Sequence, residues 1–159
     1  MDMQRVMVPY DGSDPSIRAF KVAYKIALDA PSVELHVVRI VPAEDIPMWL
    51  DSSDSFMGTA QFQLYNAQQY RDIMESLQQK ARAEMEDVVS EAEQELGNRM
   101  VVRAIARQNV ANGIAEYVDD NDCHIVIMGS RGLGGVRGIL GSVSYSVLHQ
   151  LEVPVMIVK

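Results

Sequence analysis

Short apolar runs rich in β-branched residues alternate with helix-like segments along almost all of this 159-residue chain. That alternation is what most limits the folds open to it. Residues 5–10 (RVMVPY) read as a short buried strand, and residues 33–41 (VELHVVRIV) as a second, bounded by Pro31 and Pro42. Residues 99–105, 124–128 and 153–158 supply the third, fourth and fifth. Between the first two strands, Ala19, Ala23, Ile26 and Ala27 recur at helical spacing, with Ser13 or Asp14 able to cap the helix and Pro15 in its first turn. A long helix follows from about Ala67 to Leu96, its apolar stripe running through Ile73, Leu77, Ala81, Met85, Val89 and Ala92 to a stop at Gly97-Asn98. Two more helices fit residues 110–118, capped by Asn109, and 142–150. The order β-α-β-α-β-α-β-α-β predicts an α/β fold: one domain over residues 1–159, with a parallel sheet covered on both faces. Ligands of such open sheets bind beyond the carboxyl ends of the strands, where the strand order reverses.

The alternation breaks once. Between about residues 43 and 65, Pro47, Gly58 and a DSSDS run interrupt any period, with Trp49, Leu50 and Phe56 scattered among them. This reads as an inserted loop. It is either a partly ordered surface segment or a lid or partner-binding element.

Two strand ends carry chemistry. After the first comes Tyr10-Asp11-Gly12-Ser13. After the fourth comes a loop with six of the ten glycines: Gly129, Gly132, Gly134, Gly135, Gly138 and Gly141. Arg131 and Arg137 lie inside this loop, Ser142, Ser144 and Ser146 follow it, and no acidic residue occurs from Cys123 through Leu151. Glycine permits close backbone approach and a helix start favours negative charge, so the stretch predicts an anion cradle rather than a merely tight loop. It is not a Walker A motif, since no Gly-Lys-Ser/Thr follows, and position 137 is Arg where a dinucleotide fingerprint needs glycine. Asp11 is either a solvated turn residue or a contact to a ribose or metal.

Composition removes other classes. The net charge of −8 opposes binding to nucleic acid, which needs a basic face. No apolar run reaches the ~18 residues of a membrane span. The single Cys123 cannot form an internal disulfide. His36, His124 and His149 are too dispersed for a metal site and read as strand or helix-surface residues. With no signal-peptide layout at residues 1–14, a cytoplasmic protein is expected. No Gly-x-Ser-x-Gly elbow occurs, and Ser142 has no paired base, so no catalytic residue is assigned.

Taken together, VMVPYDGS (6–13), HVVRIVP (36–42), IVIMGSRG (125–132), GSVS (141–144) and VPVMIV (153–158) resemble the universal stress protein family over nearly the whole chain. The resemblance implies an open, Rossmann-like five-stranded sheet of the adenine nucleotide alpha hydrolase type, in the order 3-2-1-4-5. It implies ATP or AMP as ligand, with or without Mg, and a nucleotide-responsive stress or regulatory role. Implied nucleotide-binding residues are Asp11 at the adenosine, the main chain of Ile40 at adenine, and Met128 and Gly129 beside ribose and phosphates. Gly132, Gly141, Ser142, Val143 and Ser144 would meet the phosphates, and Pro9, Tyr10 and Arg131 complete the nucleotide-binding set. A homodimer paired through the last strand, from Val153 to Val158, is also implied. Any activity would be at most slow ATP hydrolysis, and a further protein partner stays open.

One departure stands out. Eight residues separate Gly132 from Gly141, where the family's ATP-binding pattern has nine. One residue fewer shortens an extended segment by up to ~3.5 Å, or turns a helical one by roughly 100°. Either would move Gly141 and Ser142 relative to the phosphates, unless Gly134, Gly135 and Gly138 absorb the change. The alternative reading is therefore a dimeric interaction module with a degenerate site. In addition, Arg39 stands where the family commonly has His, and His124 where it commonly has Asp.

Overall fold

The computed structural model describes residues 4–42, 60–133 and 140–159; between 60 and 67, and at 70, it describes the backbone alone. Strands β1 (Gln4–Pro9), β2 (Val33–Pro42), β3 (Met100–Arg107), β4 (Ile125–Gly129) and β5 (Val155–Val158) form one parallel sheet in the order β3-β2-β1-β4-β5. Helices α1 (Asp14–Asp29), α2 (Ala60–Leu96), α3 (Val110–Asp120) and α4 (Ser142–Gln150) connect them. The expected single-domain architecture and strand order are observed.

Strand alternation divides the core in two. Val6 and Val8 of β1 and Leu35 and Val37 of β2 face α1 and α2, packing with Phe20, Met85 and Val89. Met7, Val38, Ile40, Val126 and Met128 face α3 and α4, packing with Ile114 and Val147. With both faces covered, the central strands have no polar side, which is why they read as continuous apolar runs. Met85 and Val89 are completely buried. Each contributes about 1.5–3 kcal/mol by the area it removes from water.

Local chemistry sets the helix ends. Ser13 has extended backbone, and its Oγ accepts from the Ser16 N–H at 3.3 Å, so Ser13 and not Asp14 is the N-cap of α1. Gly12 turns the chain out of β1 at φ +83°, a conformation that favours glycine. Asn109 caps α3 by accepting from Asn112 N–H at 2.9 Å.

Two boundaries correct the sequence reading. Helix α2 begins at Ala60, so residues 60–65 are helix and not loop. Once past Gly58 no Gly or Pro interrupts the chain before Gly97, and Ala, Gln and Leu are good helix formers. The remainder of the expected insertion, with Trp49, lies outside the described residues. Strand β5 starts at Val155 rather than Val153. Pro154 has no N–H for the ladder, and contributes only its carbonyl, to Val126 N–H at 3.0 Å.

Candidate functional site

Strands β1 and β4 are neighbours, but the chain leaves them in opposite directions across the sheet, β1 toward β2 and β4 toward β5. Beyond their carboxyl ends, on the side covered by α3 and α4, lies a cavity of about 420 Å³. All twelve residues singled out from the sequence line it. Pro9, Tyr10 and Asp11 come from the end of β1, and Ile40 from β2. Met128, Gly129, Arg131 and Gly132 come from β4 and its loop, and Gly141, Ser142, Val143 and Ser144 from the start of α4. Five further residues complete the wall: Ser16, Val38, Val110, Ile114 and Leu133. Val38 was legible, since in a strand it shares the face of Ile40 two residues on. The α3 residues depend on how that helix docks, which no local pattern reports.

The two loops are tied together. Asp11 Oδ1 accepts from Ser13 N–H at 2.9 Å, and Ser13 Oγ donates to the Arg131 carbonyl at 3.3 Å. Gly141 N–H donates to the Ser130 carbonyl at 2.8 Å, closing the neck of the glycine loop. Ser144 Oγ donates to the Gly129 carbonyl at 2.9 Å, fastening α4 to β4. These bonds hold Gly141 and Ser142 on the same cavity as Asp11 despite the eight-residue spacing. The loop interior, with Gly134, Gly135, Arg137 and Gly138, lies outside the described residues.

The glycines prove to be needed for contacts within the protein. A Cβ on Gly129 would lie 2.7 Å from Pro15 C and 2.8 Å from Ser16 N, so this glycine lets β4 pass under the start of α1. A Cβ on Gly132 would lie 2.7 Å from Asp11 Oδ2, and one on Gly141 would lie 3.2 Å from Arg131 Cα. Gly132 thus leaves room for the Asp11 carboxylate, and Gly141 for the neighbouring strand of the neck.

As the N-cap of α4, Gly141 has no side chain to accept from the first-turn amides, and the cap carries no side-chain bond. The positive end of the helix therefore faces the cavity undiminished. Among the described wall residues, Arg131 and Asp11 are the charged ones. The hydroxyl of Ser144 is already donated to Gly129, so toward a ligand this residue offers its amide. Tyr10 is buried, and burial pushes its phenol pKa up against the opposing pull of Arg39. Arg39 itself pairs with Glu84 of α2 at 2.9 Å.

A second polar cluster occupies the opposite end of the sheet. His36 lies within strand β2, as expected, and is 4% exposed. Its Nδ1 lies 2.9 Å from Tyr117 Oη, and its Nε2 lies 3.1 Å from Glu34 Oε1 without good hydrogen-bond alignment. Glu34 also meets Arg5 Nε at 3.5 Å, and Arg5 Nη1 donates to the Asn121 carbonyl at 3.1 Å. Burial lowers the His36 pKa, with Glu34 partly opposing, and raises that of Tyr117 to about 12. Tyr117 lies 81 positions away in sequence, so spacing could not have paired them. His124 accepts the Arg5 N–H at Nδ1 (3.1 Å), and His149 Nδ1 donates to the Tyr145 carbonyl at 2.8 Å. Among the described residues, no group of three or more His, Cys, Asp or Glu could hold a metal ion, and no helix is long and apolar enough to cross a membrane.

Comparison with known proteins agrees with this architecture. The model of the universal stress protein family matches residues 3–159. A universal stress protein of Methanocaldococcus jannaschii is 28% identical over 159 residues, covering 98% of this chain and 82% of that protein. Universal stress protein UspA from Lactobacillus plantarum superposes with a TM-score of 0.68 at 17% identity, over 100% of this chain and 99% of the other. A universal stress protein in complex with cAMP gives 0.56 at 21% identity, over 99% and 98%. The protein from Archaeoglobus fulgidus in complex with dAMP gives 0.56 at 17%, over 100% of both chains. At these identities the solved structures speak for the fold; the family match speaks for kinship. The chain belongs to the universal stress protein family.

Proposed function

We propose that this universal stress protein binds an adenine nucleotide in the crevice between the ends of β1 and β4, and acts as a cytoplasmic, nucleotide-responsive stress or regulatory protein. The observation that carries the reading is the uncapped N-terminus of α4 opening onto the same cavity as Asp11. An anion at the helix start and a hydroxyl-rich sugar at a carboxylate are what such a pair of groups attracts. The complexes of two family members with cAMP and dAMP support an adenine ligand. In this reading Pro9, Tyr10 and Asp11 border the adenosine and the main chain of Ile40 meets the base. Met128 and Gly129 flank the ribose, and Arg131, Gly132 and the amides of Ser142, Val143 and Ser144 meet phosphate. No catalytic residue is assigned. Two copies pair through the edge strand β5, a reading favoured by the 41% exposure of Met156 there.

The test is direct. Purified protein is denatured, released small molecules are identified, and melting is followed with added AMP and ATP. At about a hundred times its dissociation constant, a ligand of the folded state stabilises it by ~2.7 kcal/mol. Asp11→Ala should remove most of that shift. Finding no nucleotide in the released fraction and no shift with either compound would sink the reading.

A further inference from the structure

We propose that the cavity at the amino end of the sheet is a second binding site, and that it takes a free α-amino acid as its zwitterion. The proposal does not rest on the nucleotide reading above. The cavity, about 420 Å³, lies within the size range of small-molecule sites. Strand alternation builds its floor: Arg5 of β1, Glu34 and His36 of β2 and Arg103 of β3 all fall on the sheet face that α3 covers. The end of α3 and the turn after it supply the wall, with Tyr117, Asp120 and Asp122. The inner groups hold one another. Arg5 meets Glu34 at 3.5 Å and Asp122 at 3.6 Å, and the Asp122 side chain, 85% exposed, is largely screened by water. Two groups of opposite sign are left over. Arg103 is exposed and makes no ion pair among the described residues; its guanidinium donates only to the neighbouring Val102 carbonyl, at 3.2 Å. Asp120 is exposed, also without an ion pair among the described residues, and stands at the negative end of α3, whose last turn holds no basic residue. A third group points to a ligand. His36 is buried, and its Nε2 has no aligned hydrogen-bond partner. The Glu34 carboxylate 3.1 Å away favours the proton on Nε2, so Nδ1 accepts from Tyr117 Oη. The cavity wall thus carries an unspent N–H donor, which is uncommon for a buried polar group. These groups select the ligand. A carboxylate suits the Arg103 guanidinium and the His36 N–H. An ammonium suits Asp120 and the end of α3. An anion alone would face Glu34, Asp120 and Asp122 with nothing to offer them. Among the described residues no group of three or more His, Cys, Asp or Glu could hold a metal ion. One positive and one negative charge on the same small frame is the match, and an α-amino acid carries both.

Melting curves and NMR of the His36 ring nitrogens, with each of the standard L-α-amino acids added in turn, test this. At least one should raise the melting temperature and move the His36 Nε2 resonance. For that amino acid, the amine lacking the carboxylate and the acid lacking the amine should each bind about tenfold more weakly, the loss of one charge-assisted hydrogen bond. Arg103→Ala and Asp120→Asn each remove one free charge from an exposed position. Ligand-free melting should stay unchanged in both variants, while affinity falls by a similar factor. No shift with any amino acid would overturn the proposal, and so would equal binding of the amine or the acid alone. A His36 resonance that stays still while melting rises would place the amino acid elsewhere and overturn it too. Unchanged affinity in both variants would do the same.

Discussion

The two ends of the sheet hold their polar groups in opposite ways. At the amino end, Arg5, Glu34, His36 and Tyr117 are side chains that meet one another within 3.5 Å, on a frame of two strands and α3. At the carboxyl end the donors are mainly backbone amides, and the α4 N-terminus carries no side-chain cap. Both ends border cavities of similar size, about 420 Å³. Size therefore does not distinguish the two ends. What differs is whether the polar groups already have partners. The amino-end side chains turn most of their polar atoms on one another, His36 Nε2 lacking a well-aligned hydrogen bond, whereas the α4 amides keep their capacity for something that is not part of the chain.

If that contrast is right, substitutions at the two ends should separate stability from binding. The largest effect is expected at His36. His36→Ala leaves a void and strips Tyr117 of its buried partner, so it should cost about 3 kcal/mol in chemical denaturation. The nucleotide-induced shift in melting should survive; losing it as well would mean the two ends are coupled. Next comes Gly129→Ala. Its Cβ would meet backbone atoms of Pro15 and Ser16 that cannot turn aside. A loss of about 2 kcal/mol is expected, typical of overpacking. Gly132→Ala instead meets the end of the Asp11 side chain. It should leave stability within about 0.5 kcal/mol, the usual range away from core features, while weakening nucleotide binding in calorimetry. Equal stability losses for the two glycine variants would erase the distinction drawn between them. Ser144→Ala removes one bond, to Gly129, at a loss of about 1 kcal/mol.

The smallest effect is in pH. The folded pKa of His36 lies below its ordinary value of 6.5. The unfolded chain therefore takes up this proton first as pH falls. The stability contributed by neutral His36 is complete above about pH 6.5 and is lost progressively below it, down to the folded pKa. A stability profile from pH 8 to 5, compared with that of His36→Gln, isolates the contribution. Coincident slopes for the two proteins would show that His36 is not responsible.

The fold was legible because its signals are local. β-branched runs, helical periodicity and the Ser13 and Asn109 caps each act within a few residues, and the crossover rule orders them into a sheet. The cavity was legible as a place for the same reason, since both loops follow strands. Roles were less so. The sequence attributes the glycines at 129, 132 and 141 to ligand approach. In the folded chain they answer to Pro15, to Asp11 and to Arg131, contacts made across the sheet or between its loops. His36 shows the same limit, because a lone polar residue in an apolar strand declares its burial only once Tyr117 is placed beside it. The α2 start was hidden for another reason: the turn-rich composition before it masked residues 60–65, four of which (Ala60, Gln61, Gln63 and Leu64) have good intrinsic helix propensity.

The closed neck of the glycine loop has a consequence for how such proteins diversify. Gly141 N–H bonded to the Ser130 carbonyl fixes both ends of the loop independently of what lies between. Closing a chain over nine intervening residues rather than eight changes the closure entropy by only about 0.1 kcal/mol. Gain or loss of a residue there is nearly neutral for folding, so its length can change without cost to the sheet. A lineage could then edit the rim of the cavity with its floor inherited intact.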